Sequence, residues 1–351
     1  MTSIPRLFLA LSLALLAACS AAGRKLDARE VPAALAAAKQ DLAAGRTADA
    51  LDLLRGAANA TGLATAVRDD VQRTLEDAAA RRIEELSRPG CDPDDLADLV
   101  DLELPRQLAV LAGLRAARLL FQEGEAYDAY KLIKKLDVKY PEHHERFAAG
   151  ELLVEIGLWL VPNGTGWLGI GHSTGDAQEV LEYLILHHPS APRCDEGYVA
   201  LARIYEDDRD WRHAIERYEL LVLNHPTSPL RRDAQARIPR LRLRELRSPE
   251  YDRGELLTAR AELEAWLSDY AGQEGEREVR IDLGDCLRRL VDSDLSIARF
   301  YRTVGNEYGQ RYHAQRAAEE ARLVGDEKRL EAAAELTPKA VEAAAPAEKA
   351  P

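Results

Sequence analysis

Gly164-Thr165-Gly166-Trp167-Leu168-Gly169 spells Gly-x-Gly-x-x-Gly, a spacing that cradles a pyrophosphate when strand, tight turn and helix N-terminus meet. Here it follows a helical stretch, Gly150 to Leu160, and no βαβ unit surrounds it, so dinucleotide chemistry is not expected. Two readings stand: a long inter-helix loop whose glycines permit positive φ, or a contact loop presenting Trp167, Leu168 and Ile170 to a partner. His143-His144 and His187-His188 raise metal binding. Neighbours on a helix point roughly 100° apart, so neither pair converges easily on one ion, and solvated helix-end histidines are expected. Cys91, Cys194 and Cys286 form no Cys-x-x-Cys pair, so neither a zinc site nor a redox couple is indicated, and all three read as small buried helix residues. No spacing of serine, histidine and carboxylate supplies a nucleophile with its base. The expectation is a protein without catalytic residues, metal or cofactor.

Cys19 offers chemistry of another kind. Arg6 makes a small positive start, and Leu7 to Ala18 is an apolar run of about a dozen residues, too short to span a bilayer as a helix. It ends in Leu16-Ala17-Ala18-Cys19, which resembles the lipobox of bacterial lipoproteins. The resemblance implies that the Cys19 thiol receives diacylglycerol before the signal peptide is cut. An ordinary secretory signal with a small-residue cleavage site is the alternative. Ser20 follows, where an aspartate would hold a lipoprotein at the inner membrane, so the resemblance places the chain at the outer membrane, facing the periplasm.

The 351 residues carry a net charge of −13, with only 6% aromatic residues and abundant alanine and leucine. That mix favours helix throughout. An acidic chain lacks the clustered cations that neutralise phosphates, which argues against nucleic acid and against a polybasic membrane surface. The membrane link is then the lipid alone, and nothing points to a small-molecule substrate.

An internal repeat runs from 125 to 271. Ala129 is followed after four, seven, eleven and twelve residues by Ile133, Leu136, Tyr140 and Pro141. Ala177 gives Leu181, Leu184, His188 and Pro189; Ala214 gives Tyr218, Leu221, His225 and Pro226. Ala259 gives Leu263, Trp266, Tyr270 and Ala271, without the proline. Offsets of four, seven and eleven share one helix face, and proline then stops the helix. Ahead of Ala214, the residues Tyr198, Leu201, Ala202 and Tyr205 mark a preceding helix, with a polar turn at Asp207 to Asp210 and Trp211 opening the second helix. This two-helix unit resembles the tetratricopeptide pattern, with small residues Ala202 and Ala214 where the helices cross. Ala116, Ala117, Gly124, Ala129 and Pro141 mark another copy, and Ala37, Ala38, Gly45, Ala50 and Leu54 a fainter one. The fold class expected is an all-α, right-handed solenoid of antiparallel helix pairs.

The organisation follows: a signal peptide at 1–18, a lipidated linker at 19–30, two degenerate Ala-rich hairpins at 31–105, a tetratricopeptide-like array at 106–330, and a disordered tail at 331–351. The groove-facing places of the first helices hold Leu114, Arg118 and Phe121 in one unit and Val199, Arg203 and Glu206 in another. Arg118 and Arg203 are equivalent, either as a clamp for a carboxylate or carbonyl or as solvated arginines on an acidic protein. The partner-binding candidates are Arg118, Phe121, Trp167, Arg203 and Glu206.

Taken together, the lipobox, the repeat array and second helices ending in Tyr-Pro or His-Pro resemble the BamD-type lipoproteins of outer-membrane protein assembly. The resemblance spans about 106–325. It includes the insertion Val161 to Gly175, where that family carries a glycine-rich apolar loop, and Asp294 to Tyr301, which looks like its late first helix. The long N-terminal region, the proline missing at Ala271 and an indistinct final second helix around Ala314 depart from the pattern. The resemblance implies a non-catalytic, lipid-anchored scaffold in β-barrel protein assembly, with envelope proteins as partners. The alternative is a periplasmic adaptor for cell-wall organisation or secretion.

Overall fold

The computed structural model describes residues 25–164, 173–246 and 253–337. Among these the chain is helical, with no strand and no helix long and apolar enough to cross a membrane. Cys19, the signal segment, Trp167 and the end of the chain lie outside the described residues. The chain divides into two compact units, parting between Cys194 and Asp195. Residue 105, where the regular array was expected to begin, lies within the first unit.

The first unit contains α1 (Val31–Ala43), α2 (Thr47–Ala58), α3 (Thr65–Leu86), α4 (Pro93–Ala97) with a 3-10 turn at Asp98–Val100, α5 (Arg106–Gln122), α6 (Ala126–Lys139), α7 (Arg146–Asn163) and α8 (Gly175–His187). The faint repeat is a real hairpin, α1 against α2, turning at Gly45 with φ 76°. The second expected hairpin has a long first arm, α3, but only the short α4 as its return. Asp92 caps α4, and Leu96 is buried.

The repeat alanines and their partners are all in the core: Ala129, Ile133, Leu136, Ala177, Leu181 and Leu184 are fully buried. Small residues let the paired helices approach. A Cβ on Gly113 of α5 would lie 2.7 Å from Leu136 of α6, and one on Gly157 of α7 would lie 2.6 Å from Leu181 of α8. Larger side chains there would push the helices apart.

Second helices stop in one shared manner. Tyr140, His188 and His225 are C-caps with φ between −124° and −130°, each followed by proline, which drives the preceding residue out of helical geometry. An arginine at the start of the adjoining first helix then satisfies orphan carbonyls there: Arg106 donates to Pro141 O, and Arg146 to His187 O.

In the second unit are α9 (Cys194–Asp207), α10 (Trp211–Asn224), α11 (Arg231–Glu245), α12 (Arg253–Asp269), α13 (Glu276–Thr303), α14 (Glu307–Val324) and α15 (Glu327–Leu336). Ala202 and Ala214 are fully buried, and Asp210 caps α10 as its polar turn requires. Tyr218 donates to Glu206 at 2.8 Å and Asn224 to the Tyr198 hydroxyl at 3.1 Å, tying α9 to α10. Where the proline is missing after Tyr270, the chain turns instead through Gly272 (φ 77°) and Gly275 (φ 91°). α13 has 28 residues, about 42 Å of helix. Fully buried Asp294 meets Arg253 of α12 at 3.0 Å and accepts from His313 of α14 at 2.6 Å.

Two expectations change here. The tail does not begin at 331, because α15 continues to Leu336 and buries Ala333 and Leu336 against α13 and α14. Asp326 caps that helix, and Arg329 binds Asp292 at 2.8 Å. Its Ala-Glu composition reads as a solvated tail until a neighbouring surface is supplied. Second, Cys91 is not helical: it sits half-buried in the turn after α3, its thiol 3.5 Å from Glu85 O. Cys194 and Cys286 are buried helix residues, and all three thiols are free.

Candidate partner-binding surface

In the first unit the groove-facing residues of α5 meet those of α7. Arg118 donates to Glu155 at 2.6 Å, and the Phe121 ring meets Trp159 edge-on with centroids 6.1 Å apart. Helical spacing puts Phe147, Glu151, Glu155 and Trp159 on one face of α7. Phe147 is 63% and Trp159 38% exposed, large fractions for aromatic rings, so this face presents apolar area beside charge. The Arg118–Glu155 side chains are 41% and 31% exposed. A pair that open is worth under about 1 kcal/mol, so an incoming carboxylate can replace Glu155 on the guanidinium at little cost.

The equivalent places in the second unit behave differently. Arg203 is exposed and makes no hydrogen bond or ion pair among the described residues. Glu206 is committed: it accepts from Tyr218 at 2.8 Å and from Arg237 of α11 at 2.9 Å, and its side chain is only 9% exposed. Burial and the Glu206 carboxylate push the Tyr218 hydroxyl well above its ordinary value. Glu206 is therefore a tie between α9 and α11, not the free anchor its repeat position suggested. The next step along this unit repeats the device, Arg240 of α11 donating to Asp282 of α13 at 2.7 Å. Within each unit, neighbouring first helices are thus joined by arginine–carboxylate pairs, and Arg203 has none among the described residues.

Of the expected anchors, the structure joins Arg118 and Phe121 into one surface and leaves Arg203 open in the other unit. Trp167 lies outside the described residues. Glu155 and Trp159 were missed; their places eight and twelve residues after Phe147, on one helix face, were the available signal. Gly164 closes the loop base without positive φ (−61°): Ser173 N donates to Gly164 O at 3.2 Å, and a Cβ would collide with the Ser173 carbonyl.

Only one residue of each histidine pair is solvated. His143 and His188 are buried, and their Nε2 atoms lie 3.1 and 2.7 Å from the two oxygens of Asp137 on α6. Tyr183 of α8 donates to the same carboxylate at 2.9 Å, and His188 Nδ1 lies 3.2 Å from Arg146 O. Burial alone would raise the Asp137 pKa, but donors from His143, His188 and Tyr183 outweigh it and hold the carboxyl well below its ordinary value. One residue of each pair turns inward; His144 and His187 stay outside. Among the described residues no group of three or more His, Cys, Asp or Glu is disposed to hold a metal ion.

An open concavity of about 1020 Å³ on the second unit includes Arg209, Trp211, Arg242, Arg244 and Glu255 in its lining. Its central Arg242 is already held by Glu219, Glu255 and Glu262, and Arg244 stacks over Trp211 at 5.7 Å. Arg242 is thus fully occupied by carboxylates of its own unit.

No protein-family model matches the chain, and no curated protein matches it. Among solved structures it is similar to a tetratricopeptide repeat protein from Parabacteroides merdae, at 12% identity over 88% of this chain and 99% of that one, with a TM-score of 0.25. It is also similar to a circular tandem repeat protein with a novel repeat topology, at 14% identity over 88% of this chain and 74% of that one, TM-score 0.21. The buried repeat positions and paired antiparallel helices, rather than likenesses this faint, establish an all-α helical-repeat architecture.

Proposed function

We propose that this chain is a non-catalytic scaffold of the BamD type, anchored by lipid on Cys19 at the periplasmic face of the outer membrane. It takes part in assembling β-barrel proteins by holding partner proteins on its first-helix faces. The observation that carries the binding role is the α5–α7 face: an aromatic pair, Phe121 and Trp159, beside a half-open Arg118–Glu155 ion pair. Rigid aromatic and arginine anchors ringed by polar residues are the arrangement from which protein interfaces draw most of their energy. The membrane role rests on Leu16-Ala17-Ala18-Cys19 and on the resemblance of the repeat ends.

A photo-crosslinking residue in place of Phe147 or Arg203 in the full-length protein, followed by identification of the captured protein in cells, tests this reading. Capture of an outer-membrane β-barrel assembly protein is expected. Capture of a cell-wall enzyme or secretion component instead overturns the assembly role while leaving the scaffold role, and no capture from either position overturns both.

A further inference from the structure

The last helix hairpin of the second unit carries an exposed face that the preceding helix does not reach. α12 packs along the first part of α13, where Cys286 donates to Leu256 O at 3.2 Å, and its start is marked by Arg253 on Asp294 at 3.0 Å. Beyond Asp294, α13 continues to Thr303 and turns into α14. Four rings cross this hairpin in a row. Phe300 and Tyr301 have centroids 5.7 Å apart, Tyr301 stacks on His313 at 5.6 Å, and His313 meets Tyr312 at 5.1 Å. Tyr301 lies over Gly309, where a Cβ would come within 2.7 Å of the ring.

Tyr301 and His313 face each other across antiparallel helices, so the residues before them, Phe300 and Tyr312, emerge on the same side. Val304 and Tyr308 extend that side by one helical turn each. Phe300, Val304, Tyr308 and Tyr312 are exposed by 61, 57, 82 and 47%. Arg316 caps the row, its guanidinium 5.6 Å from the Tyr312 ring. Arg299 and Arg311 flank it, both exposed and without an ion pair among the described residues. From Arg299 to Arg316 the chain has four arginines and one acid, Glu307, in a protein whose net charge is −13.

We propose that this α13–α14 face binds an acidic peptide segment of a partner protein that also carries aromatic or aliphatic residues. The exposed rings supply apolar area, and the unpaired guanidiniums of Arg299 and Arg311 fork onto carboxylates. An anionic bilayer fits less well, because the acidic remainder of the chain is repelled by it. The surface shares no residue with the first-helix grooves.

The probe is a short fluorescein-labelled peptide of Glu and Asp interspersed with Phe and Leu, titrated with full-length protein and followed by anisotropy. A matched peptide with Ser for Phe and Leu, and phosphatidylglycerol vesicles, serve as comparisons. Binding is expected for the first peptide, weakened by salt, and reduced about tenfold or more in Phe300→Ser/Tyr308→Ser and in Arg299→Glu/Arg311→Glu. Helix content by circular dichroism should be unchanged, since all four positions are exposed, and Arg68→Ala/Arg88→Ala, at exposed arginines outside both candidate faces, should bind as the native protein does. Undiminished binding by both double variants, equal binding of the serine peptide, or vesicle binding in place of peptide binding overturns the proposal.

Discussion

Asp137→Asn tests the first unit at its most strongly coupled point. The native carboxylate, 7% exposed, accepts from His143, His188 and Tyr183 at 3.1, 2.7 and 2.9 Å. Asparagine offers a single acceptor oxygen and turns an NH₂ toward groups that were donating. Hydrogen bonds to a charged group are worth about 1.5–3 kcal/mol each, and removing one partner of a buried charged set costs about 3–5 kcal/mol. These overlap rather than add, so the expected cost at neutral pH is about 3–5 kcal/mol. Asp128→Asn is the control: its carboxylate is half exposed and pairs with Lys131 one turn on, worth under about 1 kcal/mol. Native-state hydrogen exchange in peptides from α6 and α8 reads this unit by itself. Protection there should fall by about two to three and a half orders of magnitude in Asp137→Asn, since each 1.4 kcal/mol is tenfold. Equal protection in the two variants would refute the reasoning. The pH dependence follows from the lowered Asp137 pKa. Below the ordinary 3.8 the unfolded chain takes up the proton first, so stability rises with pH across that window and is complete above it. The gap between native protein and Asp137→Asn should narrow as the pH falls below 3.8. A gap that widens below 3.8 contradicts the carboxylate's role.

Ala214→Leu adds three carbons at a fully buried helix crossing and should cost about 1–3 kcal/mol, while Ala265→Leu on an exposed face of α12 should stay within about 0.5 kcal/mol; equal shifts in urea midpoints would count against the helix-pair packing. Arg118→Ala should lower stability by under about 1 kcal/mol, because its pair is half open, yet reduce crosslinked partner recovery about tenfold; full recovery would move the binding surface elsewhere. Burial pushes the Cys286 thiol up to about 12, so iodoacetamide at mildly alkaline pH should modify Cys91 first and leave Cys286 untouched in the folded protein, as peptide mass mapping would show. Under the proposed anchoring, Cys19→Ser would remove several tens of CH₂ groups of lipid at about 0.8 kcal/mol each and should leave the protein uncleaved or release it from the membrane fraction; unchanged fractionation would exclude the anchor.

The elements of the repeat were legible because their cause is local. Ala129, Ala177, Ala214 and Ala259, with the apolar residues four and seven places on, are all buried as their spacing requires. The ends of three second helices were equally legible, since proline acts on the residue beside it. Where the ending was not written as proline, at Tyr270, glycines did the work, and the register had still been readable. The candidate surface was half legible: Arg118, Phe121 and Arg203 lie on first helices as counted, but their partners did not follow from the count.

What the sequence determined by itself is therefore the helices of the repeat, their order and the faces they bury, since periods of 3.6 residues, small crossing residues and helix stops act within a few positions. Tertiary structure alone decided which polar groups are free. His143 and Asp137 are six residues apart but His188 lies 51 away, Arg118 meets Glu155 across 37, and Glu206 meets Arg237 across 31. The same histidine at a helix end is solvated or buried according to whether another helix lays a carboxylate beside it. Likewise α15 is helix rather than tail because α13 and α14 offer Ala333 and Leu336 a surface to cover. Burial and charge pairing are properties of the neighbour across the packing interface, and that neighbour is chosen only when the helices stack.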